Sequence, residues 1–137
     1  MRVCLDTNVL VAAVATRGLA ADVLRLILAE HDLLVPELVL AELQRVLAAK
    51  LKLPAARRAE LETFLREHEV LPKPPRLLEV EVRDRADAWI LASAVAGRAD
   101  VLVTGDRDLL VLGRRAPLPV LDPRGFWTLA RGAADDS

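Results

Sequence analysis

The chain has 137 residues, 53% of them hydrophobic, and 19 basic against 20 acidic side chains give a net charge of −1. That size and apolar content predict one packed domain over 1–137 and exclude a disordered chain. The charge balance argues against a general polyanion-coating protein, and the absence of any apolar run near ~18 residues or of a signal-peptide pattern leads us to expect a cytoplasmic protein with no membrane partner.

Val3, Cys4 and Leu5 form a short apolar run that predicts a buried strand, followed by Asp6-Thr7-Asn8 and the apolar stretch Val9 to Val14. Cys4 is the single cysteine, so it has no internal disulfide partner and is read as core filler. Gly18 marks a turn, after which Leu19 to Glu30 carries Val23, Leu24, Ile27 and Leu28 at helical spacing. Leu33 to Val35 reads as a second strand. Pro36 is placed as the first residue of a helix over 36–51, with Val39, Leu43, Val46 and Leu47 on one face.

Pro54 opens another helix, with Leu61, Phe64 and Leu65 inward and Arg57, Arg58 and Glu60 outward. Glu69 to Leu71 is a third strand, and Lys73-Pro-Pro-Arg76 is a surface crossing within the domain. Asp84 to Ala96 is a helix burying Ile90, Leu91, Ala94 and Val95, closed near Gly97. Val101 to Val103 is the next strand, leading into Thr104-Gly105-Asp106-Arg107-Asp108 and a short helix. Val120-Leu121 is the last strand. Asp122-Pro123 begins a closing helix through about Arg131, and the last few residues fray. Strands alternating with helices predict an α/β fold with a mainly parallel central sheet flanked by helices on both faces.

Four carboxylates stand out against this pattern. Asp6 and Asp106 each follow a strand, where an open parallel sheet binds ligands. Glu42 lies three residues after Val39 and four before Val46, on the apolar stripe of its helix. Asp87 precedes Ile90 and Leu91 by three and four residues at the start of a buried helix. Each also has a structural role open to it. Asp6, Thr7 or Asn8 can cap the first helix, Asp84 and Asp87 have capping-box-like spacing, Asp106 or Asp108 can cap the short helix, and Glu42 can pair with an arginine at the stripe's margin. Four converging anions would raise one another's pKa, a conflict that a divalent cation removes. All-oxygen ligation selects Mg²⁺ or Mn²⁺ over zinc. His31 and His68 lie near helix ends without a cysteine partner and are assigned surface roles. A cation so held can activate water against a phosphodiester, while Thr7, Asn8 and Thr104 supply hydroxyls and an amide to orient ligand or water. Gly105 relaxes the backbone beside Asp106 and lets a ligand approach.

Asp6-Thr-Asn-Val, Glu42 in Ala-Glu-Leu, Asp87 in Asp-Ala-Trp-Ile-Leu-Ala and Val-Thr104-Gly-Asp106 together resemble the PIN-domain nucleases, and most of all the VapC-type toxin components of toxin–antitoxin pairs. The spacing and order fit over roughly residues 1 to 125. The resemblance implies a PIN-like fold, Mg²⁺- or Mn²⁺-dependent endoribonuclease activity on RNA, homodimers and a small inhibitory antitoxin. It implies Asp6, Glu42, Asp87 and Asp106 as metal-binding or catalytic acids, supported by Thr7, Asn8 and Thr104. Asp106 and Asp108 are two residues apart, and either can supply the last acid; Asp106 ranks first, with Asp108 as an outer support.

Other acid-dependent folds fit less well. A phosphoacceptor receiver domain needs a lysine after a late strand, and none follows Lys73. A haloacid-dehalogenase-type phosphatase needs a second aspartate where Asn8 stands. Serine chemistry has only Ser93 and Ser137 to draw on, neither in a nucleophile elbow. The rival from another class is a PIN-like module that binds RNA or a partner with little or no turnover. Arg17, Arg83, Arg85, Arg107, Arg114 and Arg115 either line an approach path for phosphates or are solvated surface charges.

Overall fold

Val3, Cys4 and Leu5 are all fully buried in β1 (Arg2–Leu5). Consecutive strand residues point to opposite faces, so both faces of the sheet at β1 are covered. In the computed structural model, which describes residues 1–135, β1 is central. β2 (Asp32–Pro36), β3 (Glu69–Leu71), β4 (Val101–Val103) and β5 (Val120–Leu121) complete a sheet of order β3-β2-β1-β4-β5. Every pairing is parallel. The helices are α1 (Thr7–Ala15), α2 (Leu19–Glu30), α3 (Glu37–Ala49), α4 (Ala55–Arg66), α5 (Arg85–Ala96), α6 (Arg107–Leu110) and α7 (Pro123–Asp135), with a 3₁₀ turn at Gly113–Arg115. None is long and apolar enough to cross a membrane.

The chain builds outward from β1 through β2 to β3, then returns to the other side of β1 for β4 and β5. Strand order therefore reverses between β1 and β4, and at such a point the carboxyl ends of the strands open a crevice. Leu5 is in register with Val103, and the Asp6 amide donates to the Val103 carbonyl at 3.2 Å. Asp6 and Thr104 are thus delivered side by side at the crevice floor.

The amino edge of the sheet is fastened differently. The Arg2 guanidinium donates to Glu69 Oε1 and Oε2 at 2.9 and 2.6 Å, and to the carbonyls of Gly97 and Arg98 at 2.7 and 3.2 Å. The Arg2 amide donates to Asp100 Oδ2 at 2.7 Å. One side chain thereby joins β1, β3 and the turn before β4. His31 and His68 border the same edge, each half-buried. His31 meets Phe126 edge-on at 5.9 Å, and His68 meets Phe64 edge-on at 5.2 Å.

The elements follow the hydrophobic periodicity, with local departures. Pro36 is the last residue of β2, in extended conformation and paired with Leu71, so α3 starts one residue later, at Glu37. In α4 only Leu65 is fully buried; Leu61 is half-buried and Phe64 is 39% exposed. This helix packs at the margin of the fold, against α3 and β3, and the narrow arc it covers does not reach Phe64. Val46 and Val95 are likewise half-buried. The closing helix runs past Arg131 to Asp135, anchored by the fully buried Phe126. The expected fraying of the last residues falls on positions outside those described. The crossing between β3 and α5 is held down where Lys73 Nζ lies 4.2 Å from the Trp89 ring centroid.

Candidate active site

Asp6 is both a helix cap and the floor of the crevice. Its backbone is extended, and Oδ1 accepts from the Val9 amide at 3.1 Å, satisfying one open donor of the first turn of α1. Oδ2 accepts from the Thr104 hydroxyl, which in turn accepts from the Asp106 amide at 2.9 Å. Asp106 caps α6 in the same manner, taking the Asp108 amide at 2.8 Å. Asp84 caps α5 by accepting from the Asp87 amide at 3.0 Å. Capping and site formation are not exclusive in this fold, because each cap uses one carboxylate oxygen, and the second oxygen of Asp6 is held by Thr104.

These caps and strand ends meet in one cavity of about 120 Å³, lined by Asp6, Thr7, Asn8, Glu42, Asp84, Asp87 and Asp106 together with Ala86 and Ile90. Glu42 reaches it from α3 and accepts from the Thr7 hydroxyl at 3.2 Å. Asn8 is exposed at its rim. Asp87, Asp106 and Asp108 are closest together, each offering an oxygen within 4.8 Å of the others. Asp108 completes this trio because the first turn of α6 brings it back beside Asp106, while Asp6 and Glu42 stand outside it. Asp84 shares the cavity as well as capping its helix; the sequence signalled only the cap.

Asp6 is 2% exposed and Asp87 8% exposed. Burial pushes the Asp6 carboxyl up to about 6, although the Thr104 and Val9 hydrogen bonds pull it down; the nearby Asp106 and Glu42 charges add to the rise. Asp87 is pushed up to about 8, first by burial, then by the Asp106 carboxyl set close against it, then by the charges of Asp84 and Asp6. Asp87 Oδ2 is buried and has no hydrogen-bond partner among the described residues. A buried acceptor without a donor is costly, and its usual partners in proteins are a proton, a water or a cation. No arginine or lysine pairs with any of these acids among the described residues.

The backbone at Gly105 adopts no conformation reserved for glycine. Its φ is not in the left-handed region, and a Cβ there would meet nothing within 4 Å.

Comparison with known proteins bears on the family and the fold. Residues 3–114 match the PIN domain family. No curated protein matches the chain. Among solved structures, VapBC2 from Rickettsia felis, bound to a DNA fragment from its promoter, superposes with TM-score 0.62 at 23% identity, covering 89% of this chain and 98% of that one. VapBC-1 from nontypeable Haemophilus influenzae gives TM-score 0.64 at 20% identity, covering 90% and 99%. FitAcB from Neisseria gonorrhoeae gives 0.61 at 19%, covering 88% and 97%. At these identities the likeness is one of fold.

Proposed function

The chain belongs to the PIN domain family, and from that premise we propose that it is a Mg²⁺- or Mn²⁺-dependent endoribonuclease acting as the toxin of a toxin–antitoxin pair. The observation that carries the reading is the buried, unpartnered Asp87 Oδ2 in a cavity crowded with carboxylates. Oxygen donors alone, within 4.8 Å of one another, suit a hard divalent cation and not zinc. Asp87, Asp106 and Asp108 would hold it, with Asp6 and Glu42 completing the negative wall.

A cation held by these acids would supply activation of a water and stabilisation of charge on a phosphodiester. The protein's own contribution is orientation. Thr104 fixes the Asp6 carboxylate and, through the Asp106 amide, the start of α6. Thr7 fixes Glu42, and the Asp84 cap fixes the first turn of α5 that carries Asp87. These bonds hold Asp6 and Glu42 in fixed orientations at the cavity wall.

RNA as the substrate and a small antitoxin as the partner rest on the VapC-type resemblance in the sequence, supported by the VapBC structures of like fold. A cytoplasmic homodimer is part of the same reading. The test is cleavage of a single-stranded RNA by the purified chain in Mg²⁺, with the matching DNA strand as control. EDTA, Asp6→Asn, Asp87→Asn and Glu42→Gln should each abolish cleavage. Variants that cut at the parent rate would overturn the assignment, and RNA binding without cation-dependent turnover would favour a binding module.

A further inference from the structure

We infer that the groove lined by Arg83, Arg107 and Arg115 seats the phosphates of a single-stranded RNA on one side of the bond presented to the acids. This inference rests on the nuclease reading above and adds where the body of the substrate lies. The acid cavity, at about 120 Å³, falls below the ~300 Å³ at which pockets begin to enclose a small organic ligand. It has room for an ion, water and a phosphate, so the rest of a polynucleotide must lie outside it. Next to it is a groove of about 730 Å³, lined by Glu81, Arg83, Arg107, Asp108, Val111 and Arg115 among others.

The two spaces are joined through α6. Asp106 lines the acid cavity, Asp108 lines the groove, and both belong to the close trio with Asp87. Arg107 lies between them in the chain, and Arg83 immediately precedes Asp84, the cap residue that borders the acid cavity. The groove therefore flanks the acids, with Asp108 on its own wall within 4.8 Å of oxygens of Asp87 and Asp106.

Its charge is the reverse of its neighbour's. Three guanidiniums face two carboxylates, Glu81 and Asp108, and none of the three arginines is ion-paired among the described residues. Arg115 is partly positioned by donating to the Val111 carbonyl at 3.3 Å. Guanidiniums without an acid partner beside an anionic cavity give a phosphate chain a favourable place to rest where the acids alone would repel it. The groove offers no aromatic side chain, only Val111, which is 65% exposed, with Leu112 and Val82. Bases have no ring to stack on, so recognition here is of the backbone and tolerant of sequence.

The test is steady-state cleavage and fluorescence-anisotropy binding of a labelled single-stranded RNA dodecamer across a salt series. It uses the full chain, R83A, R107A, R115A, the triple variant and R25A as a control outside the groove. Each groove substitution should raise KM roughly threefold, with a smaller effect on kcat, and reduce the slope of log affinity against log salt by roughly 0.7. R107K should recover most of the slope, because a point charge suffices for screening, and the R25A control should behave like the parent. A parent that cleaves the dodecamer while all three variants keep its KM and salt slope overturns the groove and leaves the nuclease reading standing. A parent that neither binds nor cleaves overturns both. A deca-glutamate peptide competing as well as the dodecamer assigns the groove to an acidic polypeptide and overturns it too.

Discussion

The Thr104 hydroxyl donates to Asp6 Oδ2 across the gap between β4 and β1, joining residues 98 positions apart in the chain. That bond satisfies one oxygen of a carboxylate with almost no access to solvent. Thr104→Val keeps the shape and deletes the donor. It should cost about 1–3 kcal/mol in urea denaturation at pH 7 and move the Asp6 titration above about 6, since the hydroxyl now holds it down. An Asp6 carboxyl whose carbon shift titrates at the parent pH would refute the coupling.

Stability should depend on pH in the direction opposite to that of a protein held by ion-paired acids. Asp6 at about 6 and Asp87 at about 8 both lie above the range of an unfolded carboxyl. The folded state therefore binds these protons more tightly than the unfolded one. The benefit is complete below about pH 4 and is lost as pH rises through 6 and then 8. In EDTA, the contribution of these groups should make the melting temperature fall between pH 5 and 9. Millimolar Mn²⁺ should restore more at pH 8 than at pH 5. A flat profile with no cation effect would count against the site.

Asp87→Asn removes charge from the most crowded carboxyl. Without divalent cations at pH 8 the variant should be more stable than the parent by roughly 1 kcal/mol, or about 3 °C in melting temperature. Mn²⁺ should raise its melting point less than the parent's. A loss of stability in EDTA would show that Asp87 is held by favourable contacts instead.

The two phenylalanines separate core from margin. Phe126→Ala, at a fully buried position on α7, should cost about 3–5 kcal/mol in urea denaturation. Phe64→Ala, 39% exposed on α4, should cost under ~1 kcal/mol. Equal costs would mean that α4 is seated more deeply than described.

Gly105→Ala should leave stability unchanged or raise it by up to about 1 kcal/mol, because a methyl meets open space there. A large loss, read by the same denaturation, would mean that the turn after β4 needs a backbone only glycine can adopt.

Much of the architecture was legible in the sequence, because a parallel sheet covered on both faces writes itself as short apolar runs between helical periods. The acids were legible for the converse reason: Glu42 and Asp87 interrupt apolar stripes, and Asp6 and Asp106 follow strands. Helical periodicity gave Leu61, Phe64 and Leu65 one face but could not say how wide an arc neighbouring elements would cover. The grouping of Asp108 with Asp87 and Asp106 depends on how the first turn of α6 meets α5, which is a tertiary contact. The arginines were visible only as charges. That Arg83, Arg107 and Arg115 share a groove while Arg17, Arg85 and Arg114 are not among its lining follows from packing alone.

The Arg2 clasp lies at the far end of the strands from the acids. It ties the start of β3 and the turn before β4 to β1, away from the pole where the carboxylates repel one another. A substitution in the loops at the carboxyl pole alters the lining of the crevice and leaves these Arg2 contacts untouched.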